Sequence, residues 1–88
     1  MSEADKMFEE LGYKKDKEID NLYCNIISPY KKQKDISFDD VAKDFVTITL
    51  TKYNEFGELE NNIIVLSIKE LQAIIAKCKE LRWIEWVI

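Results

Sequence analysis

The sequence predicts an α+β domain: a small, four-stranded, mainly antiparallel sheet flanked by an N-terminal and a C-terminal helix, in the order α-β-β-β-β-α. Three observations lead there. Apolar residues recur at helical spacing near both ends, at Ala4, Met7, Phe8 and Leu11 and again at Leu71, Ile74, Ile75, Cys78 and Leu81. Between them runs strict alternation, clearest in "FVTITLTKY" at residues 45–53. Finally, 88 residues make one domain, 1–88, with one modest core.

The first helix opens with Ser2 as its cap and Asp5 at the capping-box position. Gly12 stands where a left-handed stop belongs, followed by Tyr13 as its hydrophobic contact. Residues 14–20, "KKDKEID", read as a charged connector. Residues 22–28 follow as a strand, with Leu22, Cys24 and Ile26 on one face and Tyr23 and Ile27 on the other. Pro29 ends it, "YKKQKD" makes a basic turn, and Ile36-Ser37-Phe38 alternates as a short second strand. In the strand at 45–53, Val46, Ile48 and Leu50 line one face and Thr47, Thr49 and Thr51 the other, which suits a sheet with one packed and one wet side. A loop around Gly57 leads to a fourth strand at 62–67, apolar enough to lie centrally. Ser67 then caps the last helix, whose polar face carries Lys69, Gln72, Lys79 and Glu80. Both helices are expected on one face of the sheet.

Composition narrows the chemistry. The chain has 17 acidic against 13 basic side chains, a net charge of −4, and Arg82 as its single arginine. Such a balance disfavours direct nucleic-acid binding, which needs cations to displace the counterions of the phosphate backbone. Histidine is absent, which removes the commonest general base and the preferred zinc ligand. Gly12 and Gly57 are isolated, so no glycine-rich phosphate cradle exists. Cys24 and Cys78 fit no metal spacing and read as small buried hydrophobes. Asp16, Glu18 and Asp20 alternate like the opening of a calcium loop, but Asn21 stands where that loop needs glycine and Ile27 where it needs glutamate. We therefore expect neither an enzyme nor a cofactor or metal. With no signal peptide and no apolar span of transmembrane length, the expected setting is the cytoplasm, away from membranes.

What remains is surface. Lys14, Lys15 and Lys17, and Lys31, Lys32 and Lys34, form two basic clusters beside Tyr13, Tyr23 and Tyr30. Interleaved acids make them solvated connectors rather than a base-stacking patch. Two acidic turns, with Asp39, Asp40 and Asp44 in one and Glu55, Glu58 and Glu60 in the other, are candidate partner-binding surfaces. The second candidate is the apolar end of the chain, Trp83, Trp86, Val87 and Ile88, which must dock on its own core or on another chain. Tryptophan is enriched in interface hot spots, and such a tail suits strand addition or a homodimer seam.

Two stretches, "ADKMFEELGYKK" and "IKELQAIIAKCKELRWI", resemble small uncharacterised proteins of phages and prophages in Firmicutes. The matching residues are Phe8 to Tyr13, Glu70 to Ile74, and Leu81, Trp83 and Ile84, about a third of the chain. The resemblance implies no reaction. It implies a bacterial host cytoplasm and a protein partner. The leading expectation is a stoichiometric, anti-CRISPR-like inhibitor of a host defence or nucleic-acid enzyme, whose basic channel an acidic module could occupy. The alternative is a structural or assembly protein of a phage, self-associating or docking through its tail.

Overall fold

The computed structural model describes residues 2–27, 32–39, 45–52 and 64–84. Its order is α1 (Glu3–Glu10), β1 (Lys14–Lys15), β2 (Leu22–Ile27), β3 (Lys32–Asp39), β4 (Phe45–Lys52) and α2 (Ile68–Glu80). The strands form a meander, β1-β2-β3-β4, antiparallel throughout. The α+β class and the element order are those read from the sequence, although two strands are not where the sequence placed them.

Register decides which residues meet. Tyr23 lies opposite Ile36, Ile36 opposite Ile48, and Phe38 opposite Val46. These rows form the packed face. Tyr23, Ile36 and Phe38 are fully buried, with Val46 and Ile48 against them. Thr47 and Thr49 face solvent on the other side, as alternation required. Cys24 shares that outer side, whereas Cys78 packs on the core, so the sheet separates the two cysteines, which form no disulfide.

Both helices cover the packed face. Phe8 of α1 stacks on Tyr23, with centroids 4.1 Å apart and planes 20° from parallel. It also meets Tyr13 and Phe38 edge-on, at 5.6 and 6.1 Å. Such offset and edge-to-face pairs each add about 1 kcal/mol beyond area burial. The helices run antiparallel, since the Ala4 N–H at the start of α1 donates to Glu80 Oε1 at the end of α2, 3.0 Å away. Ala4 and Ala73 are both without exposure, small side chains that permit close helix packing.

The two helices stop in the same way. Gly12, at φ 94°, donates to the Glu9 carbonyl while Tyr13 donates to that of Phe8. Arg82, at φ 59°, donates to Lys79 while Trp83 donates to Cys78. Each stop turns an aromatic residue back onto the core, Tyr13 against Phe8 and Trp83 against Phe38 at 6.2 Å.

Four expectations need correction. Residues 64–67 form no strand; they lead into α2, and the Val65 carbonyl accepts from Lys34 Nζ at 2.8 Å. A short apolar run carries no periodicity that separates a strand from a helix approach. The fourth strand is instead β1, inside the supposed connector, where Lys14 pairs with Cys24 and Lys15 with Tyr23. Residues 32–35 of the supposed basic turn belong to β3, which is central and hydrogen-bonded on both sides. Pairing there overrides the weak strand propensity of charged residues. Last, α2 is rotated about a quarter turn from its predicted stripe. Ala73 and Lys77 are buried, Ile74, Cys78 and Leu81 pack beside the core, and Leu71 and Ile75 face outward.

Two outcomes are expected. Phe8→Ala, which removes the ring that packs on Tyr13, Tyr23 and Phe38, should lower unfolding free energy by about 3–5 kcal/mol in urea denaturation. Arg82→Gly should raise it by about 1 kcal/mol, because glycine takes the left-handed conformation without the cost of a Cβ.

Candidate functional site

Proximity of α1 to the β1–β2 hairpin creates a cleft of about 400 Å³ lined by Asp5, Glu9, Gly12, Tyr13, Lys14, Lys15 and Tyr23. Its polar groups are set by local rules. Asp5 is the third residue of α1, and its N–H donates to the Ser2 hydroxyl at 3.1 Å. That position aims its carboxylate at the sheet, where the Tyr23 hydroxyl donates to Oδ1. Lys15 follows the pleat onto the same face as its register partner Tyr23, and its Nζ lies 3.5 Å from Asp5 Oδ2.

The same arrangement recurs at the other helix. Glu70 is the third residue of α2 and completes a capping box: it accepts from the Ser67 N–H at 2.9 Å, while its own N–H donates to the Ser67 hydroxyl at 3.0 Å. Its second oxygen accepts from the Tyr13 hydroxyl and, at 3.0 Å, from Lys34 Nζ. Each tyrosine thus buries its ring and hands its hydroxyl to the acid in a helix's first turn. Between the two pairs, Lys77 is only 6% exposed. Its ammonium lies 3.6 Å from Glu80 Oε2 and 5.8 Å from the Tyr23 ring centroid, an ion pair and a cation–π contact together.

Electrostatics follow from these contacts. Burial acts to raise the Asp5 carboxyl, but the Tyr23 hydroxyl, Lys15, Lys77 and Ser2 outweigh it and hold the group below the ordinary value of 3.8. Burial likewise opposes Glu70, and the Ser67 N–H, the Tyr13 hydroxyl and Lys34 hold it below 4.5. Both phenols are pushed up, first by burial and then by the carboxylates they serve. Burial, with Asp35 nearby, pushes the Cys24 thiol up to about 11, so it is no activated nucleophile. The Asp16 carboxyl is lowered because Oδ1 accepts the backbone N–H groups of Ile19 and Glu18, at 2.7 and 2.8 Å. That carboxylate caps its own turn.

Chemically, the cleft is a structural clasp. No buried side-chain oxygen or nitrogen among the described residues lacks a hydrogen-bond partner. No group of three acids or cysteines among the described residues is arranged to hold a metal ion. The basic clusters are divided by the pleat, with Lys15 and Lys34 turned inward to Asp5 and Glu70.

Of the acidic turns, Asp39 is the last residue of β3, half-buried and opposite Phe45. Asp40, Asp44, Glu55, Glu58 and Glu60 lie outside the described residues. Of the apolar end, Trp83 packs on Phe38 while Ile84 is exposed; Trp86, Val87 and Ile88 also lie outside. Sequence reasoning missed the clasp itself. Its only trace was an acid three positions after each helix-capping serine. No helix among the described residues is long and apolar enough to cross a membrane. No protein-family model matches the chain, and comparison with curated proteins and with solved structures yields no match.

The two lowered carboxyls make acid sensitivity predictable. Their folded pKa values lie below the unfolded ones, so both contribute full stability above about pH 4.5 and lose it as pH falls through the folded values. The melting temperature should hold level from neutral pH down to about 5 and drop below about 4. Glu70→Gln should lower it at neutral pH and flatten the acid limb, as read by thermal denaturation at several pH values.

Proposed function

We propose that this chain is a non-enzymatic, phage-encoded binding protein that inhibits a host defence or nucleic-acid enzyme stoichiometrically. The observation that carries the reading is the clasp. The carboxylates of Asp5 and Glu70 and the phenols of Tyr23 and Tyr13 are committed to one another and to Lys15 and Lys34, which favours a scaffold over a catalytic site. The sequence adds a net charge of −4 and no histidine. The phage setting rests on the resemblance at the two helices.

An acidic module of this size fits a basic, nucleic-acid-binding channel by charge complementarity, which governs on-rate and specificity. The acids that the sequence offers for that role are Asp39, Asp40, Asp44, Glu55, Glu58 and Glu60. A structural role in phage assembly is the alternative. The apolar surface left on α2 favours it, since an assembly protein needs a standing contact.

The test is capture from Gram-positive lysates containing CRISPR effectors and other defence enzymes, followed by binding and inhibition assays on the captured enzyme. Reversing all six acids should weaken binding at least about tenfold, with the circular dichroism spectrum unchanged. Undiminished inhibition by that variant overturns the charge-mimicry mechanism. Capture of virion components alone moves the function to assembly.

A further inference from the structure

Helix α2 buries a charge while it exposes aliphatic residues. Lys77 is 6% exposed and Ala73 is without exposure, whereas Ile68, Leu71 and Ile75 remain in contact with solvent. Area burial alone would favour the opposite, with Leu71 and Ile75 turned inward in place of an alanine and a lysine. The helix therefore sits about a quarter turn from the setting its apolar residues prefer, and a specific contact must hold it there.

The last turns of α2 make contacts of that kind. Lys77 Nζ lies 3.6 Å from Glu80 Oε2 and 5.8 Å from the Tyr23 ring centroid, so the buried ammonium has an anion and a ring face to meet. Its charge also acts on the Asp5 carboxylate of α1. Glu80 has a second task. Its Oε1 accepts the Ala4 N–H at 3.0 Å, and Ala4 is without exposure, so water does not replace Glu80 there. In the first turn of α1, Ser2 serves the Asp5 N–H and Glu80 serves that of Ala4, so one helix is capped in part by the other. A quarter turn of α2 about its axis would carry Glu80 off Ala4 and Lys77 off Tyr23 together. The start of α2 is tied separately, through Glu70 to Tyr13 and Lys34.

From this geometry we infer that Lys77, Glu80 and the Ala4 N–H form a conformational latch, which selects one rotation of α2 against a more apolar alternative. Lys77 and Glu80 are positioning residues. They supply a single setting of the helix layer rather than net stability, because a buried ion pair repays little beyond its own desolvation. The latch concerns the helix layer alone, so it stands or falls separately from the inhibitor reading.

Nuclear magnetic resonance on the full chain tests it. In the wild type, the protection factor of the Ala4 amide against hydrogen exchange should exceed that of the neighbouring Glu3 amide at least about tenfold. In the double variant Lys77→Met with Glu80→Ala, circular dichroism should show the helices retained while Ala4 loses that protection. The α2 resonances should then split or broaden, and the methyls of Leu71 and Ile75 should gain contacts to the core rings. An unprotected Ala4 amide in the wild type overturns the proposal. So does a double variant with one sharp set of α2 signals in the wild-type rotation, which would leave the close fit of Ala4 and Ala73 as the selector. A double variant that no longer folds overturns it as well, by making the pair a source of stability rather than of choice.

Discussion

The stacking of Phe8 on Tyr23 is the contact on which the rest of the structure depends. Phe8 is without exposure, lies face to face with Tyr23, and meets Tyr13 and Phe38 edge-on. Those four rings belong to α1, the turn after it, β2 and β3, so a single cluster joins one helix to two strands. A short helix of eight residues has little stability of its own. Its place is held by the ring it inserts. Once Phe8 is seated, Tyr13 and Tyr23 have fixed directions, and their hydroxyls emerge at the edges of the cluster.

Those hydroxyls create a constraint that the helices resolve. A buried phenol without an acceptor would cost about 1–3 kcal/mol. Each is met by the third residue of a helix, Asp5 for Tyr23 and Glu70 for Tyr13. The same acids terminate lysines from the sheet, Lys15 and Lys34. Helix starts, aromatic core and strand lysines therefore form one connected arrangement. It also underlies the acid sensitivity expected of the fold: protonating Asp5 or Glu70 weakens a phenol contact and an ion pair together. A site so fully paired is suited to holding shape.

The outer surfaces differ in character. The uncovered side of the sheet is mainly polar, with Thr47 and Thr49 exposed, and carries Ile26 and Phe45 exposed among them. The helix layer leaves Ile68, Leu71 and Ile75 of α2 exposed. For a domain of this size, an apolar ridge in water is a standing cost unless something covers it.

The sequence by itself determined the local decisions. Ser2 and Ser67 start the helices, Gly12 stops the first, and the alternation of Val46, Ile48 and the threonines sets one face of β4 inward, because these depend on neighbours within a few residues. Fold class followed from the order of those periods. Tertiary structure decided what depends on partners distant in the chain. Lys14 and Lys15 became a strand because β2 lies beside them, and Lys32 to Asp35 joined β3 because strands flank it on both sides. The rotation of α2 was settled by the close approach of α1, which buried Ala73 and Lys77 and left Ile68, Leu71 and Ile75 outside. Apolar spacing identifies a helix but not which part of a broad apolar surface turns inward. That choice belongs to packing, where shape and charge across the whole fold outweigh the preference of any one residue.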